Sequence, residues 1–226
     1  MININIKKYI LFFNILLCLT ISSVCFASEL PQSFFYDILT PQEQVLYNKE
    51  IPHKKPIVVE FFSFLCPRCY EFYLGINQKS LKGKIPKNIK IFRYHLNKFD
   101  DDDGFGSLIG YAWIVAKMLN VENKVIGPIF EGIHKNNSIH DYESIKKIFV
   151  KKIGISNRIF DSAWHSYIAR ILFIRETNLA EKLDIHIVPN IYVNNKYEIN
   201  LSELYSSYYD NFFKYYINLI IKLSKN

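Results

Sequence analysis

The stretch VVEFFSFLCPRCYEFY, from Val58 to Tyr73, decides the fold. Its first half is almost wholly apolar, which is typical of a strand buried on both faces of a sheet. A helical pattern follows directly, with Pro67 in the first turn, where the missing N–H of proline does no harm. The stretch therefore predicts a buried strand that leads into a helix, with Cys66 and Cys69 at the junction and one carboxylate, Glu60, inside the strand.

The residues downstream predict an α/β domain with a helical insertion. KIFRYHLNKF, from Lys90 to Phe99, alternates like a second strand, so strand, helix and strand form the start of a βαβ unit. Residues 100–176 then show apolar residues at helical spacing without a strand pattern. Strand character returns in HIVPNIYVNNKYEIN, where Asn194 and Asn195 are a hairpin-turn signal, and a C-terminal helix closes the chain. The predicted α/β domain thus comprises residues 28–99 and 177–226, and the inserted all-helical domain residues 100–176.

The last segment of the helical block is predicted to be one long helix. It begins with a cap signal at Ser156 and continues to about Leu183. Its periodicity predicts a single apolar face made by Phe160, Trp164, Tyr167, Ile168 and Ile171.

The first 27 residues have the three parts of a secretory signal peptide. Two lysines precede an apolar run, and small residues surround a plausible cleavage site after Ala27. An uncleaved membrane anchor is the alternative, because the apolar run is of borderline length for spanning a bilayer. We expect a mature chain of residues 28–226 that is exported to an oxidising compartment.

Cleavage of the signal peptide would change both the charge and the number of cysteines of the chain. Cleavage removes two lysines and no acid, so the formal charge of +7 falls by two to +5. The remaining cations are scattered and do not interleave with aromatic residues, which disfavours a nucleic-acid partner. Cleavage also removes Cys18 and Cys25, so only Cys66 and Cys69 reach a compartment in which disulfides persist.

A Cys-x-x-Cys pair can be a structural disulfide, half of a metal site or a redox centre. Closing a four-residue loop stabilises a fold by only about 2 kcal/mol, against about 5 kcal/mol for a hundred-residue loop, so the pair is a poor structural crosslink. A metal site needs two further ligands, and His134 and His140 lie more than sixty residues away along the chain. We therefore predict no metal and favour redox chemistry.

The position of the pair predicts two unlike sulfurs. Unpaired N–H groups and the positive end of the helix dipole stabilise an anion in the first turn, so Cys66 should ionise more easily than a free thiol. Cys69 lies one turn further in and should be shielded. Cys66 is then the attacked sulfur and Cys69 its resolving partner. A lowered pKa of Cys66 stabilises the reduced form and makes the pair a stronger oxidant.

Six blocks of sequence resemble one family. The thiol stretch, FRYHLN, GYAWIVAKMLNVENKV, PIFEGIHK, FDSAWHSYIA and VPNIYVNNKYEIN are similar, in the same order, to the DsbA family of bacterial periplasmic thiol:disulfide oxidoreductases. The resemblance implies a thioredoxin-like fold with an inserted helical domain. It also implies a monomer that donates its disulfide to newly exported polypeptides with free thiols and that needs no cofactor besides that disulfide. A quinone-linked membrane oxidase of the DsbB type would reoxidise it.

The resemblance also assigns residues around the thiols. Glu60 matches a buried acid beneath the active site, with Arg93 in place of the usual lysine partner. We expect Glu60 to relay a proton to and from Cys69, and a purely structural Glu60–Arg93 ion pair is the alternative. The resemblance further implies a cis bond between Val188 and Pro189.

The cis proline that the resemblance implies leads to two predicted substrate-binding residues. A proline blocks strand pairing, so the Val188 backbone is left to pair with an extended peptide by strand addition. Pro67 and Val188 are the predicted substrate-binding residues, and Pro189 is expected to face the thiol pair.

Arg68 departs from the family pattern, which usually has His between the proline and the second cysteine. Its permanent charge could stabilise the Cys66 thiolate, or its long side chain could extend into solvent. A disulfide isomerase or reductase of the same fold is favoured if Arg68 fails to acidify Cys66. A chaperone-like peptide-binding protein whose thiols are incidental is a further alternative.

Overall fold

The computed structural model describes residues 32–77, 81, 83–97 and 104–225. The elements described below belong to the compact unit Ser33–Asn226. The signal peptide predicted for residues 1–27 lies outside the described residues. Within the described ranges, no helix is both long and apolar enough to cross a bilayer.

Five strands form one mixed sheet in the order β1-β5-β4-β2-β3. Their bounds are β1 Tyr36–Ile38, β2 Ile57–Phe62, β3 Lys90–His95, β4 Asn190–Val193 and β5 Tyr197–Ile199. Strands β2 and β3 are parallel, whereas the β2–β4, β4–β5 and β1–β5 pairs are antiparallel. The parallel pair is the one that the strand–helix–strand pattern predicts.

Nine α-helices lie in the part of the chain that the structure describes. They are α1 Pro41–Glu50, α2 Pro67–Ile76, α3 Phe105–Met118, α4 Glu122–His134, α5 Tyr142–Lys147, α6 Asn157–Trp164, α7 Tyr167–Lys182, α8 Leu201–Ser207 and α9 Phe212–Leu223. A π-helical turn, Ile148–Lys152, continues α5, and a 3₁₀ turn, Tyr209–Asn211, precedes α9. In the sequence, helices α3 to α7 all come between β3 and β4. The predicted α/β class with a helical insertion is therefore confirmed. Helix α7 runs across residue 176, and the exact domain limits stay a prediction.

Strand β2 lies between two apolar cores. All six of its residues are buried, as the continuous apolar run predicts. Ile57, Val59 and Phe61 belong to the core that includes residues of α1 and of the helical insertion, whereas Val58 belongs to the core that includes α9. Because successive side chains of a strand point to opposite faces, a strand covered on both sides must be apolar throughout. This burial fixes the strand end that carries the thiol pair.

The single long helix predicted from Ser156 is wrong. Ser156 caps α6 by accepting the N–H of Ile159, as expected, but α6 ends at Trp164. Ser166 then caps a new helix, α7, by accepting the N–H of Ala169. A second serine cap competes with helix continuation, because its side chain offers the backbone an alternative hydrogen bond.

The break also overturns the predicted apolar face. Phe160 of α6 is fully buried, whereas Tyr167, Ile168 and Ile171 of α7 are 72%, 60% and 46% exposed. Restarting the helix changes the direction of its side chains, so the two segments do not share one buried stripe.

The predicted hairpin turn is confirmed. Asn194 and Asn195 both have positive φ, 57° and 52°, and connect the antiparallel strands β4 and β5. Asparagine tolerates this left-handed backbone better than most residues. The antiparallel β2–β4 pairing, with Phe61 opposite Asn190, places the start of β4, and Pro189 just before it, beside the end of β2.

Candidate active site

The end of β2 delivers the thiol pair to the start of α2. Cys66 is the N-cap of α2, and its sulfur accepts a hydrogen bond from the N–H of Cys69 at 3.3 Å. Pro67 occupies the first turn, as predicted, and is exposed. Both cysteines are free thiols here; Cys66 is half-buried, whereas Cys69 is 2% exposed. The outer sulfur can therefore meet a second molecule and the inner one is covered.

The surroundings of Cys66 favour its thiolate. A hydrogen bond from the Cys69 thiol is the largest cause that lowers the pKa of Cys66, from 9.0 to about 6, and burial acts against it. The N–H groups of Cys69 and Arg68 add to the lowering, and the charge of Arg68 contributes least. The direction is that expected for a cysteine at a helix N-terminus.

The surroundings of Cys69 have the opposite effect. Burial is the main reason that the pKa of the Cys69 thiol is raised, followed by its hydrogen bond to Cys66 and the charge of Cys66. The carboxylate of Glu60 raises this pKa further. At neutral pH the reduced pair thus consists of an outer thiolate and an inner thiol.

A proline loop lies against the outer sulfur. The Val188–Pro189 peptide bond is cis, as the resemblance implies. The carbonyl oxygen of Val188 lies 3.5 Å from Cys66 Sγ and accepts a hydrogen bond from it when Cys66 is protonated. Ile187, the preceding residue, is 73% exposed and supplies an apolar side chain next to this contact. The structure thus brings Cys66 and the Val188–Pro189 loop together.

Glu60 and Arg93 form an ion pair between the two parallel strands. They are partners in the β2–β3 register, and Arg93 Nε donates to Glu60 Oε2 at 2.6 Å. Burial alone would lower the pKa of Arg93, but the adjacent Glu60 raises it overall. A cavity of about 20 Å³ adjoins both side chains, together with Tyr73 and Tyr216. A space of this size is enough for one water molecule.

Arg68 contributes little to the surroundings of the thiol pair. It is exposed, and its charge is the smallest of the causes that lower the pKa of Cys66. The solvent-facing alternative for Arg68 is therefore the better description of its position.

Two histidines that the sequence did not single out for this site hold the backbone just before the thiols. The N–H of Phe64 donates to His95 Nε2 at 3.0 Å, and the carbonyl of Phe64 accepts from His134 Nε2 at 2.7 Å. Spacing along the chain marks His134 only as a candidate metal ligand. The described residues contain no group of three or more His, Cys, Asp or Glu side chains that could hold a metal ion.

A thiol pair at a helix N-terminus, a cis proline loop against its outer sulfur and a mixed sheet beneath it define a thiol:disulfide oxidoreductase of the thioredoxin fold. Comparison with known proteins identifies the family within this class. The thiol:disulfide interchange protein DsbA of Buchnera aphidicola subsp. Schizaphis graminum is 37% identical over 186 residues, which are 82% of this chain and 88% of the relative. DsbA of Escherichia coli strain K12 is 34% identical over 171 residues, 75% of this chain and 81% of the relative. The chain belongs to the DsbA family of thiol:disulfide interchange proteins.

Solved structures agree with this assignment. DsbA from Klebsiella pneumoniae superposes with a TM-score of 0.68 at 28% identity and covers 85% of this chain and 96% of its own. DsbA from Proteus mirabilis, solved with a non-covalently bound peptide, gives a TM-score of 0.66 at 28% identity and covers 77% of this chain and 91% of its own. No family model matches the chain.

Proposed function

We propose that the chain is a monomeric periplasmic dithiol oxidase that donates a Cys66–Cys69 disulfide to newly exported polypeptides. The observation that carries the proposal is the contrast between the two sulfurs: the pKa of Cys66 is lowered to about 6, whereas that of Cys69 is raised. A thiolate that is stable in the reduced form favours reduction of the pair, and thus oxidation of its substrate. The disulfide is the only redox group that this reaction requires.

The first step is attack on the outer sulfur. A substrate thiolate forms a bond to Cys66 Sγ of the oxidised pair, and the Cys66–Cys69 bond breaks with its electron pair passing to Cys69. The half-buried position of Cys66 and the cover over Cys69 direct the attack to Cys66. The product is a mixed disulfide between Cys66 and the substrate.

The second step releases the oxidised substrate. A second substrate thiolate attacks the substrate sulfur of the mixed disulfide, and Cys66 departs as a thiolate. Its low pKa makes it a good leaving group. Two electrons have then passed from the substrate dithiol to the pair. We propose that a quinone-linked membrane oxidase of the DsbB type removes them and restores the disulfide.

Glu60 is proposed as the proton relay for Cys69. The departing Cys69 sulfur is buried and must take up a proton, because its surroundings strongly favour the thiol. Glu60 is near enough for its charge to influence the pKa of Cys69, and the small cavity beside Glu60 can hold a water molecule. Glu60→Gln should slow the formation of the mixed disulfide. An unchanged rate would mean that Glu60 has only a structural role, as the partner of Arg93.

Val188 is proposed to bind the substrate backbone. The loop lies beside Cys66 and precedes β4, so an extended peptide next to the sulfur would meet main-chain groups of Val188. The peptide bound to the DsbA of Proteus mirabilis supports a peptide site in this family. Exposed Pro67 flanks the same sulfur.

The isomerase or reductase alternative depends on Arg68. That reading is favoured if Cys66 is not acidified, but the hydrogen bonds from Cys69 and from the backbone lower its pKa with little help from Arg68. The substitution of His by Arg therefore does not remove the basis of oxidase activity.

The reduction potential tests the proposal. The mature protein is equilibrated with glutathione buffers, and its oxidation of a reduced dithiol peptide is measured in parallel. We expect a potential well above the value of about −270 mV that is typical of thioredoxin. A potential near that value would favour the reductase. Cys66→Ser should abolish oxidation but keep peptide binding, and persistent oxidation by this variant would contradict the assigned role of Cys66.

A further inference from the structure

The peptide group of Phe64 is held from both sides by imidazole rings. Phe64 lies two residues before Cys66, beyond the end of β2, and its side chain is fully buried. Its N–H donates to His95 Nε2 and its carbonyl accepts from His134 Nε2. We call this arrangement the Phe64 clamp, defined by His95 and His134.

The partners fix the proton on each ring. A backbone N–H can only donate, so His95 Nε2 must be an unprotonated acceptor, and the ring proton lies on Nδ1. Nδ1 is 2.7 Å from Asn97 Oδ1, to which it donates. A carbonyl can only accept, so His134 Nε2 carries a proton. His95 is therefore held in one tautomer and His134 donates through Nε2, so both polar atoms of the Phe64 peptide are satisfied.

His95 is anchored towards the inserted helices. The amide of Asn97 donates to Thr177 Oγ1 of α7 at 3.0 Å, and Thr177 Oγ1 donates to the carbonyl of Phe173 one turn earlier. Gly110 of α3 leaves the space that these groups need, because a Cβ there would overlap Asn97 Oδ1. The side of the clamp that holds the N–H is thus continuous with two helices of the insertion.

His134 is anchored on the other side. It is the last residue of α4, and its ring stacks on Tyr70 of α2 with centroids 5.1 Å apart and planes at 9°. Tyr70 in turn stacks on Phe130 of α4. A stacked ring has less freedom than a flexible donor or a water molecule, so the carbonyl of Phe64 is held at one position.

The position of this peptide matters for the sulfur that follows it. Cys66 Sγ accepts a hydrogen bond from the Cys69 N–H at 3.3 Å, and this bond stabilises the thiolate; the Val188 carbonyl, 3.5 Å from Sγ, accepts only from the protonated thiol. A shift of the short segment between Phe64 and Cys66 would lengthen the contact with the Cys69 N–H and so disfavour the thiolate. We propose that His95 and His134 are positioning residues, which fix the Phe64 peptide and thereby hold Cys66 Sγ in contact with Cys69 and Val188. This inference rests on the proposed role of Cys66 as the attacked sulfur.

Substitutions at His134 test the clamp, because this residue is only half-buried and comes from outside the thiol motif. His134→Leu removes the donor, His134→Gln keeps an N–H donor, and His140→Leu is a matched control at an exposed histidine. The readout is the rate at which iodoacetamide alkylates Cys66 in the reduced full chain, measured across the pH range of its titration.

We expect His134→Leu to raise the pKa of Cys66, so that alkylation below the wild-type midpoint is slower by about threefold or more, in proportion to the lost thiolate. His134→Gln should restore most of the rate, and His140→Leu should match the wild type. A His134→Leu titration identical to that of the wild type overturns the proposal, and so does failure of His134→Gln to rescue. If His134→Leu does not fold, His134→Ala, which leaves room for water, is judged by the same criteria.

Two controls separate this inference from other effects. Ile145→Val, at a fully buried site in α5, provides a variant of reduced stability with an intact clamp; a slower alkylation of Cys66 in this variant would show that general destabilisation is the cause and would overturn the proposal. Wild-type protein that fails to oxidise a reduced peptide contradicts the proposed oxidase, whereas the alkylation profiles of the His134 variants still decide the clamp.

Discussion

The start of helix α2 and the ion pair between β2 and β3 stabilise charge in different ways. At the start of α2, the Cys66 thiolate is stabilised by a neighbouring thiol and by backbone N–H groups. Between the strands, Glu60 and Arg93 neutralise each other through side chains that are 11% and 19% exposed. Charge held by backbone groups depends on where the peptide lies, whereas charge held by a partner side chain depends on the identity of that partner.

Arg93→Met gives the largest expected effect on stability. It leaves the buried Glu60 without its cation. Removing one partner of a buried pair costs about 3–5 kcal/mol, because the remaining charge is uncompensated. Urea unfolding of the oxidised protein should therefore show a loss of this size in the free energy of unfolding.

Lys182→Met is the matched control for this loss. Lys182 pairs with Glu50 at 3.3 Å, but its side chain is 57% exposed. A solvent-exposed pair contributes about 0–1 kcal/mol, so this variant should unfold almost like the wild type. Equal losses in the two variants would show that the Glu60–Arg93 pair behaves as a surface pair.

The pH dependence of the free energy of unfolding tests the start of α2, where the Cys66 thiolate lies. Between pH about 6 and 9.0 the unfolded chain keeps the Cys66 proton that the folded reduced chain has lost. The free energy of unfolding of the reduced form should therefore rise with pH in this window and fall as the pH drops through about 6. The raised pKa of Cys69 has its effect only at higher pH, where Cys69 would ionise in the unfolded chain.

The oxidised form is the control for this prediction, because its sulfurs do not titrate while all other groups remain. Urea midpoints of both forms should be measured at several pH values on each side of the Cys66 midpoint. The free energy of unfolding of the reduced form, minus that of the oxidised form, should increase with pH. A constant difference would mean that Cys66 has no lowered pKa.

The region around the thiols was largely predictable because its signals are local. An apolar run, a Cys-x-x-Cys pair and Pro67 in the first turn lie within a few residues of one another, and each has a direct meaning for strand or helix. The Asn194–Asn195 turn is local in the same way. Positive φ at both residues follows from the tolerance of asparagine for this backbone.

Other features depend on residues that are distant in sequence. The Phe64 clamp joins Phe64, His95 and His134 from three separate elements, and no spacing along the chain marks them as neighbours. Pairing of Glu60 with Arg93 depends on the β2–β3 register, and only the resemblance to a family indicated it. The break between α6 and α7 interrupts a helical periodicity that continues past Ser166 without an evident gap, so the sequence pattern does not mark Ser166 as a second cap.

Arg68→Ala gives the smallest expected effect and sharpens the comparison most directly. Arg68 is exposed, and residues two apart on a helix do not face each other, so its charge is poorly placed to act on Cys66. We expect the substitution to raise the pKa of Cys66 slightly, with less than about a threefold loss of thiolate below the midpoint. Thiolate absorbance at varied pH measures the change, and Arg68→Lys, which keeps the charge, should titrate like the wild type.

The size of this effect distinguishes a side-chain cause from a backbone cause. Arg68→Ala leaves the N–H groups of residues 68 and 69 and the Cys69 thiol in place, and these groups lower the pKa of Cys66 more than the charge of Arg68 does. A rise of the pKa to that of an ordinary cysteine would therefore assign the acidity to the guanidinium and contradict the backbone account. A small rise would mean that this chain keeps an acidic outer sulfur with either residue type at position 68, because the start of α2 itself stabilises the anion.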